Sequence, residues 1–460
     1  MPAAPKAHPG VYAPGSYNPW SDSVVDNDVR PRLDTILDSG KLARGQVAIV
    51  FLCALVAVVD GFDTQSIALV APVIAADWGA DPAVFGVVFG VGLFGGLLGA
   101  IGFGFAGDRF GRKPNLLAAV TLFAVASLCT PLAESAPVLV VIRLITGFGL
   151  GGALPCLIAI TSEYTPARMR ATVVGLMFCG FPLGAVIGGI ASARMIPTLG
   201  WESVFILGGA VPLLLLPLLW TKLPESARFL ALKGDRDGLA RVLRQLGVAV
   251  RAEDVEPEPN DERSPIARLF TEGRAGGTLM LWATLFLSLL LTYLLTNWIP
   301  MVATQAGIAA SQAIFCVVAL NFGAIIGCVV IGRLADAFRP TIVIGVAFAA
   351  GALAIAAIGR VGGSGVALLG TAFAAGFLSI GAQMCTVALC AGFYETSLRA
   401  TGIGWSVGVG RIGGIVGPVL GGLLVAVGTS APNLFLVTAV ASVGAAIAVL
   451  VLTRYVGRAT

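Results

Sequence analysis

Two aspartates stand three residues apart inside an apolar run, in the stretch Val58-Val59-Asp60-Gly61-Phe62-Asp63-Thr64. An ionised carboxylate at membrane depth costs at least ~2.5–3.5 kcal/mol, so stability alone does not account for the pair. Residues i and i+3 share a helix face, which makes both carboxylates candidate linings of one wet cavity where a proton is taken up and released. Arg143, just past Pro137 at the start of another apolar run, is the candidate cation for that pair. Two carboxylates sharing one cation titrate as a coupled set, as a proton carrier requires. A static ion pair that fixes helix packing is the alternative. Arg411 lies well inside a later run, ~16 Å from its start by helical rise. A lone guanidinium near the bilayer midplane calls for an anion, and its planar fork suits a carboxylate. Its alternative is a packing role against backbone carbonyls.

Other polar groups complete a candidate binding cavity. Asn321 falls mid-run, Gln383 in the inner part of its run, and Tyr293, Asn297 and Trp298 near the outer end of theirs. Together the set supplies ring faces and a few hydrogen-bonding groups. Each alone also fits an interhelical hydrogen bond or an interface aromatic.

The elements that must hold these residues are membrane spans. With 57% hydrophobic and only 12% charged residues, the chain is not an ordinary soluble globule. Its 60 glycines and 25 prolines suit closely packed membrane helices. The apolar runs are continuous and about twice the length of the alternating segments of an outer-membrane barrel. They predict twelve spans, near 46–70, 84–106, 114–133, 137–160, 171–194 and 201–221, then 277–302, 311–332, 340–359, 364–390, 400–427 and 432–454. The domain plan is a polar tail over 1–43, a six-helix bundle over 44–221, a central loop over 222–276, a second bundle over 277–454 and a tail over 455–460.

Charge sets the orientation. With the N-terminus inside, 25 of the 29 basic residues fall on the cytoplasmic side, two (Arg194 and Arg360) outside, and Arg143 and Arg411 within spans. By the positive-inside rule both termini are cytoplasmic, and the net charge of +4 reports topology and not nucleic-acid binding. The eight cysteines all fall in predicted spans with no Cys-x-x-Cys pair, as buried unpaired thiols do. The single histidine, His8, lies in the tail, and no Gly-x-x-x-x-Gly-Lys-Ser/Thr cradle exists, so neither an enzyme centre, a metal, a cofactor nor ATP-driven pumping is expected.

The halves repeat one another. Arg170-Ala171-Thr172-x-x-Gly175 opens the fifth span and Arg399-Ala400-Thr401-x-x-Gly404 the eleventh, while Gly104-x-x-x-Asp108 leaves the second span and Gly332-x-x-x-Asp336 the eighth. Such duplication marks secondary transporters with a midplane site between repeats. Gly104-Phe-Ala-Gly-Asp108-Arg109-Phe-Gly111-Arg112-Lys113 resembles the loop motif of the major facilitator superfamily. Arg143-x-x-x-Gly147-x-Gly149-x-x-Gly152 resembles its fourth-span motif, and Pro224-Glu225-Ser226-Ala-Arg228 a third. Asp60-Gly61-Phe62-Asp63 together with Asn297-Trp298-Ile299-Pro300 resembles the aromatic acid:proton symporter family. The second-half loop Asp336-Ala-Phe-Arg339-Pro340 is shorter and lacks the Gly-Arg-Lys run, so a gate there is weaker or differently paired.

The resemblance implies an all-α major facilitator fold in a bacterial inner membrane, working as a monomer and carrying a small aromatic acid with protons. It implies that Asp108 sits between the halves near the start of the eleventh helix, with Arg109, Arg112, Arg170 and Glu163 in its charge network. Asp336 and Arg399 are the second-half gate candidates. A proton-coupled exporter, a carrier of another small solute and a receptor-like aromatic-acid binder stay open as alternatives.

Overall fold

The structure, a computed structural model, describes residues 44–245, 266–361 and 364–456. The predicted tail 1–43 with His8, residues 246–265 of the central loop, and the terminal 457–460 lie outside the described residues. Twelve helices among those described are long and apolar enough to cross a membrane. In the first half they are Gly45–Trp78, Val84–Phe110, Arg112–Leu132, Ala136–Glu163, Ala167–Leu199 and Glu202–Lys222. In the second they are Ala275–Gln305, Ala310–Ala337, Pro340–Ile358, Gly365–Phe393, Thr401–Ala426 and Ala431–Tyr455. We number these spans one to twelve. Two short helices, Ala227–Lys233 and Arg236–Gln245, follow the sixth span.

The first span corrects the sequence reading, which ended it at residue 70 ahead of Pro72. The helix runs through Pro72 to Trp78. Within a bilayer a broken helix exposes unpaired backbone, so the cost of one missing N–H is the smaller one. Asp60 and Asp63 therefore lie near the middle of a 35-residue helix and deeper than a count from residue 70 suggests.

Glycines set how closely the spans approach. A β-carbon on Gly95 or Gly99 would strike the backbone of Leu144 or Phe148, and one on Gly147 or Gly151 that of Gly92 or Gly96, so spans two and four touch backbone to backbone. Gly61, between the two aspartates, lets the first span rest on Phe181 of the fifth.

Among the described residues the halves pack closely at one end. There Gly86 and Gly422 of spans two and eleven face each other, Gly90 packs on Val419, and Gly189 of span five on Val318 of span eight. Phe89 meets Trp298 edge to face at 5.9 Å. One apolar core crosses between the halves here, uniting Phe62, Phe85, Phe89 and Trp201 with Leu291, Trp298 and Ile314. At the other end Gly104, Gly175, Gly404 and Gly408 have no neighbouring heavy atom within 4 Å of where a β-carbon would stand. A second core, including Ile49, Leu116, Leu157 and Leu239, stays within the first half. The molecule is thus closed at the Gly86–Gly422 end and open at the end that carries Asp108.

Candidate transport site between the two halves

The two aspartates interact with each other but have different further partners. Three helical residues turn through about 300°, leaving side chains roughly 60° apart, and the first span is wedged so that this difference selects different neighbours. Asp60 lies in electrostatic range of Arg411 from span eleven and Tyr293 from span seven, across the boundary between halves. Its Oδ1 accepts the Thr64 hydroxyl at 3.1 Å, while Oδ2, buried, has no hydrogen-bond partner. The Arg411 guanidinium donates to the Gly96 carbonyl of span two at 3.2 Å. A carboxylate, a phenol and a guanidinium from three helices and both halves converge here, with unused hydrogen-bonding capacity on Asp60.

Asp63 turns into the first half. Its Oδ1 accepts the Ser127 hydroxyl at 2.6 Å, and Oδ2 is again unpartnered. Arg143 is in electrostatic range, but it donates to the Thr130 hydroxyl at 2.5 Å and stacks over the Phe205 ring at 4.8 Å. All of these partners belong to spans three, four and six. Arg143 thus neighbours one aspartate of the pair, and Asp60 has a different cation.

The other predicted cavity residues disperse. Asn297 donates to the Tyr293 carbonyl on its own helix at 2.7 Å. Trp298 is fully buried at the closed end, its indole N–H bonded to the Pro418 carbonyl at 3.1 Å. Gln383 is half-buried on span ten. Asn321 pairs with Gln65, a residue sequence reasoning passed over. The one signal was another polar residue in the same apolar run.

At the open end a knot of contacts forms around Glu225, also missed as a site residue. Its Oε1 accepts the backbone N–H groups of Arg112, Lys113 and Ser226 at 2.7, 3.1 and 2.8 Å, capping the third span. Its carbonyl accepts the Tyr164 hydroxyl, and the Ser226 hydroxyl donates to Glu163. Burial holds the Tyr164 hydroxyl well above the usual phenol range, so it stays a donor. Arg112 pairs with Asp108 one helical turn away. Gly111 makes the turn at φ +105°, where Glu225 leaves no room for a β-carbon. Of the predicted gate residues, Asp108, Arg112 and Glu163 are gathered here. Arg109 lies over the Phe110 ring, and Arg170 is half-buried with its Nε unpartnered. In the second half Asp336 and Arg399 are exposed, and Arg274 instead binds Glu272 and Glu395 at 2.6 and 2.8 Å.

Twelve apolar spans in two repeated halves, parted at one end and joined at the other with buried opposite charges between them, define a secondary membrane transporter. The chain belongs to the Major Facilitator Superfamily, whose family model matches residues 53–392 and 281–459. It is 38% identical over 418 residues to the gallate transporter of Pseudomonas putida, covering 90% of this chain and 93% of that one. It is 37% identical to the 4-hydroxybenzoate transporter PcaK of the same organism, covering 88% and 92%. The partially occluded inward-open xylose transporter XylE of E. coli shares the fold, with a TM-score of 0.68 at 18% identity over 87% of this chain and 96% of that one. The protein is therefore a multi-pass transporter of the bacterial inner membrane and not an enzyme.

Proposed function

We propose that this transporter imports a small aromatic carboxylate together with protons by alternating access of its two halves. The observation that carries the reading is that Asp60 and Arg411, from opposite halves, lie in electrostatic range of each other at their boundary. The named substrates of the two Pseudomonas putida relatives, gallate and 4-hydroxybenzoate, are aromatic carboxylates and support the substrate class. Arg411 takes the substrate carboxylate and Tyr293 lies beside it. One guanidinium balances one anion in an apolar site, so engaging the substrate leaves Asp60 to be neutralised by a proton. Substrate release returns Arg411 to Asp60, which gives that proton up. The inside-negative potential opposes entry of a lone anion by ~2.3 kcal/mol per charge per 100 mV, and co-transported protons reverse the sign.

The charge asymmetry of the loops assigns the open end to the cytoplasm, with both termini there. Asp108 is a latch for the opposite state: when this end closes, its carboxylate reaches the N-terminus of the eleventh helix, a contact of ~0.3–1 kcal/mol that is easily broken. The protein works as a monomer. The deciding experiment is uptake of labelled 4-hydroxybenzoate and gallate into proteoliposomes under an imposed pH gradient. Accumulation that an uncoupler abolishes is expected. Binding without accumulation signifies a receptor, and accumulation only under the reversed gradient an exporter.

A further inference from the structure

Five residues of one helix, Asp60, Asp63, Thr64, Gln65 and Ser66, bring polar groups to a buried stretch of the first span. Four are accounted for. Asp60 and Asp63 serve the two charged sites, Thr64 donates to Asp60, and Ser66 donates to the Asp63 carbonyl at 2.7 Å. Gln65 faces elsewhere: its amide N–H donates to Asn321 Oδ1 at 3.0 Å, and Asn321 returns a hydrogen bond to Gln65 Oε1 at 2.9 Å. The Asn321 amide also donates to the Val317 carbonyl at 2.9 Å. The two side chains are 5% and 4% exposed and belong to spans one and eight, hence to opposite halves. The surrounding contacts between halves, Gly189 on Val318 and Phe89 on Trp298, are apolar and carry no such directionality.

We propose that the Gln65–Asn321 pair is the latch that holds the Gly86–Gly422 end closed and fixes its register. It rests on the alternating-access reading, because only a transporter whose halves part at this end needs a closure that re-forms in one register. A reciprocal amide pair suits that task. Closed, each amide satisfies the other; open, water takes both places at little net cost. Closure by apolar surface alone would tolerate sliding, and closure by an ion pair would be expensive to bury. Being uncharged, the pair also leaves proton traffic to the carboxylates two and five residues before Gln65 on the same helix. Gln65 and Asn321 are thus positioning residues: they act on the carboxylates by setting which end of the molecule is open.

The test is the distance between genetically encoded spin labels at Asp77 and Ser430, exposed residues near the closed end of each half, in protein reconstituted into nanodiscs. Asn321→Leu strands a buried glutamine amide in the closed state and is expected to shift the population toward an open end by roughly tenfold or more. Gln65→Leu does the same. Two rescues separate a latch from a general defect. Gln65→Leu with Asn321→Leu removes both polar groups and restores closure, and the exchange Gln65→Asn with Asn321→Gln restores it by rebuilding the pair. Single variants with the native distance distribution, or a correctly folded exchange variant that stays open, overturn the proposal. Uptake by the unmodified protein reports on transport itself, so the two readings fail separately.

Discussion

Asp60 and Asp63 are chemically identical, buried alike, and each leaves one oxygen unpartnered, yet they belong to different kinds of site. The partners of Asp63, namely Ser127, Arg143 and the neighbouring Phe205 ring, all come from the first half. They travel together whenever that half moves. The guanidinium and phenol near Asp60, those of Arg411 and Tyr293, come from the second half, so any motion between halves remakes the site. A carboxylate whose cation is on the other side of a moving boundary can couple charge to conformation. One whose cation rides on the same rigid body chiefly holds its bundle together.

The largest effect that breaks this contrast is on transport. Asp60→Asn is expected to abolish uptake against a gradient while leaving thermal stability near native, read by counterflow and by unfolding in detergent; retained accumulation removes Asp60 from coupling. Next is Asp63→Asn, which strands the Arg143 guanidinium. Loss of one partner of a buried pair costs ~3–5 kcal/mol, seen as a lowered unfolding midpoint. Adding Arg143→Gln should recover most of that stability, whereas adding Arg411→Gln to Asp60→Asn should not recover transport. If neither double variant differs from its single, the division between the sites is wrong. Arg411→Lys keeps the charge but loses the fork, and substrate binding should weaken ~10- to 100-fold by calorimetry. Smallest is Ser127→Ala, which removes a single hydrogen bond to Asp63. It should cost about 1 kcal/mol of stability with little change in transport.

Much of this was legible in the chain. Apolar run length and loop charge predict the twelve spans and the six-plus-six division, because a bilayer dictates both. Asp60, Asp63, Arg143 and Arg411 stand out for the same reason: charge at that depth needs a purpose. What sequence could not supply is which neighbour each residue meets. The 60° between the aspartates matters only because different helices flank the first span on those two sides. Gln65 and Asn321 are 256 positions apart and become partners only when the halves close. Trp298 looked like a cavity aromatic by its position near a span end, but the close approach of spans seven and eleven seals it away. The first span runs past residue 70 for a different reason, since in lipid the penalty of a broken helix outweighs the cost of Pro72 within it.

Backbone contact between spans two and four has a mechanical consequence. No compressible layer of side chains separates them, so a push on one reaches the other undamped. The Gly96 carbonyl, held by Arg411, lies ~18 Å along span two from Val84 and ~21 Å from Phe110. A stiff beam resting on a fulcrum so near its centre has arms of nearly equal length. Whatever gap opens at one tip is then matched by a closure of similar size at the other, and simultaneous opening of both would require the beam itself to bend.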